Sequence, residues 1–151
     1  MDRSGVKSIL DVPTTLETLE TRGVAIVGYR ADEFPAFTTR TSGLSPDARA
    51  DTPEEAAAVA RAHRALGLPG AIVLAQPVPE AQALDRQTME TALALALDEA
   101  RALGVTGKAV TPFLLARLHD ATGGKSLRAN TALIVQNAAL AGAVATALAV
   151  G

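Results

Sequence analysis

A near-terminal lysine, a carboxylate on a rigid loop, a loop arginine and two asparagines on one helix face are the residues whose types and spacing offer chemistry. Lys7 stands in Gly5-Val6-Lys7-Ser8-Ile9-Leu10-Asp11, at an apolar-to-polar junction. An amine is a nucleophile only when neutral, and with an ordinary pKa of about 10.4 this costs about 4–5 kcal/mol at pH 7. Burial or a nearby cation must remove most of that cost. Without them, Lys7 is a solvated side chain. Glu80 closes Gln76-Pro77-Val78-Pro79-Glu80, where two prolines stiffen the backbone beyond a strand's carboxyl end. Ligands of open α/β sheets bind at such ends, so Glu80 is either aimed at a ligand or part of a stiff crossover. Arg40, among the hydroxyls of Thr38-Thr39-Arg40-Thr41-Ser42-Gly43, can hold a phosphate or carboxylate, or simply be solvated. Asn130 and Asn137 lie seven apart and share a helix face, where an amide can position a sugar hydroxyl or bond a neighbouring backbone. His63 and His119 fall on polar helix surfaces and read as exposed.

Composition removes several alternatives. Lys plus Arg number 14 against 16 Asp plus Glu, with no basic block, which argues against a nucleic-acid footprint. The chain has no Cys, hence no disulfide, thiolate metal site or cysteine nucleophile. Two distant histidines do not make a histidine-rich zinc site. Four aromatics (Tyr29, Phe34, Phe37, Phe113) are too few for a base-stacking platform. There is no phosphate-binding P-loop and no Gly-x-Ser-x-Gly elbow. The N-terminus lacks the apolar core of a signal peptide. The uncharged stretch 131–150 has the length of a membrane span. It carries Gln136, Asn137 and Gly142 and much Ala, with no flanking aromatics or basic cluster, so it is expected to be a buried or oligomer-facing helix. The expected location is the cytoplasm.

The elements follow from caps and periodicity. Residues 13–20 read as a short helix with a hydroxyl cap near its start and Gly23 near its end. Val24–Tyr29 and Gly70–Ala75 are short apolar runs that read as buried strands. Residues 30–49 read as mostly loop, with a short strand around 37–40. Asp51-Thr52-Pro53-Glu54-Glu55 is a helix start, the helix running to about Leu66 and stopping at Gly67. Helices are predicted from about Asp85 to Leu103, from Thr111-Pro112 to about Thr122, and from a Ser126 cap onward. The order is helix, strand, helix, strand, then three helices. Residues 1–151 form one domain, an α/β class with a layered α/β/α arrangement and parallel strands, here a partial sheet with an excess of helices. Thirty-two alanines suit close helix packing.

Taken together, these segments resemble a known family. Lys7-Ser8-Ile9-Leu10-Asp11, Thr15-Leu16-Glu17 to Gly23-Val24, Val27-Gly28-Tyr29, Pro35-Ala36-Phe37 and Arg40-Thr41-Ser42-Gly43-Leu44 are similar to the pseudouridine-5'-phosphate glycosidase family, which includes the indigoidine synthase A proteins. So are Pro77-Val78-Pro79-Glu80, Gly107-Lys108, Thr111 to Arg117, Thr122-Gly123-Gly124, Ser126 to Asn130 and Asn137 to Ala141. The resemblance runs through nearly the whole chain in order, and matches the C-terminal half of the family, whose members are about twice this length.

The resemblance implies an α/β/α enzyme, usually a homotrimer, that cleaves the C–C glycosidic bond of pseudouridine 5'-phosphate to uracil and ribose 5-phosphate with a divalent metal, typically Mn2+. It implies that Lys7 is the nucleophile, forming a Schiff-base adduct at the sugar's C1', and that Asn130 lies near the bound sugar phosphate. The acid and the metal-holding aspartate would belong to a complementary N-terminal half, and the isolated chain is expected to be inactive. The sequence departs from the pattern at Met1 to Ser4, which do not look like the family's lead-in. It departs again at Gln76 and Gln136, where Asn is usual, and at Ala109, where an acid is common. A rival reading is a non-catalytic remnant, or an assembly subunit of a split enzyme.

Overall fold

The computed structural model describes residues 11–150. Among the described residues, eight regular elements occur in the order α1 (Val12–Thr21), β1 (Ala25–Tyr29), β2 (Ala48–Ala50), α2 (Pro53–Ala65), β3 (Ile72–Ala75), α3 (Arg86–Ala102), α4 (Val110–Ala121) and α5 (Lys125–Val150), with single 3-10 turns at Glu80–Gln82 and Gly107–Ala109. The fold is mixed α/β, a small parallel sheet with five helices among the described residues, as the alternation of apolar runs and capped helices predicts.

The sheet has order β2-β1-β3, and both pairings are parallel. β1 is central and accordingly apolar on both faces, with Ile26 through Tyr29 all buried. Val27 and Tyr29 meet Ala56 and Ala57 of α2 and Leu140 and Val144 of α5, so those two helices cover one face. On the other face Gly28 is indispensable. A Cβ there would lie 2.3 Å from the Ala31 carbonyl oxygen and 2.9 Å from Pro46 Cγ. A second core joins α3 to α4 through Ala96, Ala100 and Leu114, continued by Met89, Ala92 and Leu118. Alanines on the buried face of α3 let α4 approach closely.

Three sequence expectations need correction. β2 is an additional strand, three residues long, with Ala48 and Arg49 exposed. Too short and too polar for a hydrophobic pattern, it is set by its neighbours: the Asp47 backbone N–H donates to the Ile26 carbonyl (2.9 Å), and Asp47 Oδ2 accepts from the Ile26 N–H (2.8 Å). Residues 37–40 form no strand. Ala36 and Thr39 make an isolated antiparallel bridge around a tight turn, with Phe37 at φ +54°. Finally, two caps differ. The α1 cap is the Asp11 carboxylate, which accepts from the Thr14 N–H (3.1 Å) and hydroxyl (2.9 Å). At α5, the Thr122 hydroxyl accepts from the Ser126 N–H (3.1 Å), so Ser126 is capped rather than capping.

The other boundaries agree closely. Thr52 caps α2 by accepting from the Glu55 N–H (3.2 Å), and the Glu55 carboxylate reaches back to the Asp51 N–H (2.6 Å). Asp85 caps α3.

Two consequences are measurable. Gly28→Ala should lower stability by about 1–3 kcal/mol in urea unfolding, because both contacts are with constrained atoms. The Asp85 carboxylate accepts from the Thr88 N–H (2.8 Å) and hydroxyl (2.9 Å), and these bonds hold its pKa below the ordinary value. A depressed native pKa stabilises above the unfolded pKa of about 3.9, and this is lost as pH falls through the native value. Asp85→Asn keeps an acceptor at the cap, so thermal unfolding between pH 6 and pH 3 should lose part of its acid dependence.

Candidate functional site

Parallel strands bring their carboxyl ends to one edge of the sheet, and the loops leaving β1 and β3 meet there. The β1 loop is shaped internally. The Glu33 carboxylate accepts from the Ser42 and Gly43 N–H groups (3.1 and 2.6 Å), and the Thr39 hydroxyl donates to the Ala36 carbonyl (2.9 Å). It is then tied to the β3 loop twice: Arg40 Nη1 donates to the Val78 carbonyl (2.5 Å), and the Leu84 N–H donates to the Thr38 carbonyl (2.9 Å). Pro77 and Val78 are buried, so the acceptor that Arg40 uses is fixed. The β3 loop in turn holds α5, because Gln76 Nε2 donates to Asn137 Oδ1 (2.7 Å).

Two concavities flank Phe37. One, of about 310 Å3, runs between Phe37, α4 and the first turn of α5 and is lined by Leu115, His119, Ser126, Leu127 and Asn130. The other, of about 400 Å3, lies between the start of α1, the Phe37–Ser42 turn and the first half of α3. Both fall within the volume range of small-molecule sites, about 300–1,000 Å3. The Asn130 groove sits at the N-terminal end of a 26-residue helix, whose dipole favours negative charge, with Lys125 and Arg128 in its first turn; the Lys125, Ser126 and Arg128 N–H groups there are already bonded to Thr122 and Gly124. The exposed Asp120 opposes them, facing Arg117 at 3.9 Å.

The predicted site residues separate. Asn130 lines the groove. Asn137 shares its helix face but is spent on Gln76, so the two amides do different work. Arg40 is exposed, yet its guanidinium braces the two loops. Glu80 is exposed and opens the 3-10 turn. His63 is half-buried in the last turn of α2, a favourable place for a cation. His119 is exposed as expected, but it shares the groove with Asn130, which its own helix could not reveal because α5 supplies the opposite wall. Lys7 lies outside the described residues. Among the described residues no three His, Cys, Asp or Glu side chains are placed to hold a metal ion, so they supply no donor set for the Mn2+ that the resemblance implies.

A parallel α/β domain with its concave site at the carboxyl ends of the strands is the architecture of many small-molecule enzymes. Comparison with known proteins narrows this. Residues 3–147 match the family model described as indigoidine synthase A like protein, and the chain belongs to that family. It is 56% identical over 145 residues to a pseudouridine-5'-phosphate glycosidase of Methylobacterium nodulans, covering 96% of this chain and 43% of the relative. With the enzyme of that name from Symbiobacterium thermophilum it shares 51% over 148 residues, covering 98% and 48%. The chain thus spans about half the length of the curated relatives it matches, their C-terminal part. Two solved structures are similar at 38% identity. One is a prealnumycin C-glycosynthase in complex with ribulose 5-phosphate (TM-score 0.81, covering 90% of this chain and 45% of that one). The other is an indigoidine synthase A-like protein of Thermotoga maritima (TM-score 0.80, covering 95% and 46%).

The Gln76–Asn137 bond is testable by a double-mutant cycle. Gln76→Leu and Asn137→Leu should each cost about 0.5–1.5 kcal/mol in chemical denaturation, and the double variant less than their sum, since no polar partner is then stranded.

Proposed function

We propose that this chain is the C-terminal portion of a pseudouridine-5'-phosphate glycosidase, cleaving the bond between C1' of the sugar and C5 of uracil to give uracil and ribose 5-phosphate. The observation that carries this is identity of about half along nearly the whole chain with enzymes of that name. The sugar-phosphate complex of the prealnumycin C-glycosynthase, at 38% identity, supports a sugar phosphate as the common ligand. A non-catalytic remnant is disfavoured by the same identity.

A carbon leaving group is poor, so direct displacement faces a high barrier, and covalent catalysis divides it. In the proposed route the Lys7 amine adds to C1' as the bond to the ring oxygen breaks, giving an open-chain secondary amine, the amine's proton ending on the new sugar hydroxyl. C5 then takes a proton and the C1'–C5 bond breaks, its electron pair passing to the base while the nitrogen lone pair forms the imine at C1', releasing uracil. Water then hydrolyses the imine to ribose 5-phosphate and the free amine. Asn130 holds a sugar hydroxyl in the groove, and the positive end of α5 favours the phosphate. The proton donor and the Mn2+ ligand are assigned to the remaining half of the relatives' length, supplied by a complementary chain or segment. The assembly is proposed to be a homotrimer acting in the cytoplasm. The chain by itself is proposed to be inactive and prone to association through exposed strand edges and the apolar face of α5.

With the complementary half supplied, Lys7→Ala should abolish uracil release while leaving thermal unfolding unchanged. Borohydride reduction in the presence of ribose 5-phosphate should label Lys7 by peptide mass mapping. Label on Lys108 or Lys125 instead would refute the assignment. Asn130→Ala should lower kcat/KM by about 10- to 100-fold, the loss of a good hydrogen bond to the reacting sugar.

A further inference from the structure

One side of α5 is left uncovered by the domain. At about 100° per residue, Leu127, Ile134, Ala138 and Ala145 fall on one side of the helix, away from Leu140 and Val144, which pack on the sheet. Leu127, Ile134 and the adjacent Val135 are each more than half exposed. A helix side that meets water ordinarily carries charge, as α2 does with Glu54, Glu55 and Arg64 and α3 with Arg86, Glu90 and Asp98, all exposed. From residue 129 to residue 150, α5 carries none. An exposed apolar strip of this kind marks an interaction surface.

The strip runs into the candidate site, and this continuity selects its occupant. Leu127 and the exposed Leu115 of α4 both line the Asn130 groove, so whatever covers the strip also borders Asn130 and His119. The reaction proposed above needs a proton donor and a divalent metal, and among the described residues no three His, Cys, Asp or Glu side chains are placed to hold a metal ion. A second copy repeats those residues and leaves the groove as short of donors as before. Lipid does not suit the rim, where Asn130 and His119 would lose water without gaining a partner. The matched stretch is 43% and 48% of the two curated relatives and 45% and 46% of the two similar structures, so more than half of each of those chains lies outside it.

We propose that the Leu127–Ile134 side of α5 is the seat of that unmatched N-terminal portion of the family, whether joined to this chain or separate, and that the portion completes the Asn130 groove from its outer rim. The need for donors in the groove rests on the function proposed above, whereas the exposed and uncharged strip does not.

The lack of cysteine makes this surface directly measurable, because Leu127→Cys, Ile134→Cys and the control Leu66→Cys each place a single thiol in the chain. Leu66, at the end of α2, is 73% exposed and lies off the strip. Each substitution is made in the 151-residue chain alone, and in one polypeptide with the unmatched N-terminal portion of the Methylobacterium nodulans relative placed before it. Maleimide labelling is then followed position by position through peptide mass mapping. In the joined polypeptide, positions 127 and 134 should label about 10-fold or more slowly than in the chain alone, and position 66 within about 2-fold. The docking face is overturned if position 127 or 134 reacts equally in both forms, or if all three positions slow together. It is also overturned if the chain alone protects position 134 increasingly with its own concentration, which assigns the strip to a second copy. Protection of the chain alone by vesicles of phosphatidylcholine and phosphatidylglycerol overturns it in favour of lipid. Uracil release is measured in parallel on the joined polypeptide without the cysteines. Protection without release counts against the reaction and leaves the docking face standing, whereas release with position 134 still reactive refutes the face and leaves the reaction.

Discussion

The site depends on one constraint: the loops leaving β1 and β3 must be locked to each other at the carboxyl edge of the sheet. Arg40 does this through the Val78 carbonyl, on a segment that Pro77 and Pro79 already restrict, and the Leu84 N–H repeats it through Thr38. Both bonds cross about forty residues of sequence. Each carbonyl lies in a buried stretch, where an unpaired acceptor is costly, so the bonds hold the turn shut rather than merely decorating it. From this lock the rest follows. Phe37 is set between two concavities, Gln76 is placed to reach Asn137, and α5 is fixed in the register that puts Asn130 at the groove.

Much of this was legible in the sequence where local physics governs. Thr52 with Glu55, the Gly67 and Gly104 stops and the Pro-Val-Pro exit are chain-local signals, and the structure follows them. The central strand was legible because burial on both faces makes a continuous apolar run. β2 was not, because its partner residues lie twenty or more positions away and its own side chains are half exposed. The 37–40 turn was misread as strand for a related reason. Phe, Thr and Thr favour extended backbone, and only tertiary ties hold Phe37 left-handed. The cap of α5 shifted from Ser126 to Thr122 because two hydroxyls compete for one set of N–H groups, and spacing does not decide between them.

The site residues divide along the same line. Asn130 and Asn137 were correctly put on one face, since a seven-residue spacing fixes that. Their separate roles depend on Gln76, sixty-one residues from Asn137. His119 looked inert because its significance comes from α5, which packs on α4. The resemblance supplied Asn130.

The last helix shows why a hydropathy pattern needs its surroundings. α5 is long and apolar enough to cross a membrane, and only 11% of that window is buried within the described residues. Of the two expected forms, a buried or an oligomer-facing helix, burial within the described residues holds for one side only, since Leu127, Ile134 and Val135 are exposed. Yet Leu140 and Val144 pack against the sheet, Arg61 Nη1 donates to the Ala147 carbonyl (3.2 Å) and Asn137 bonds Gln76, so three separate contacts fasten one side of α5 to the domain. A polar amide engaged at mid-helix and an arginine at its end are anchors to protein, not to lipid. The helix thus works as a strut with one face committed to the sheet and its first turn committed to the groove. Moving it by even one residue in register would turn Asn130 away by about 100° and break the Gln76 bond together. Coupling of groove and core through a single rigid element is the reason the sheet edge, the two loops and Asn130 have to be considered as one unit.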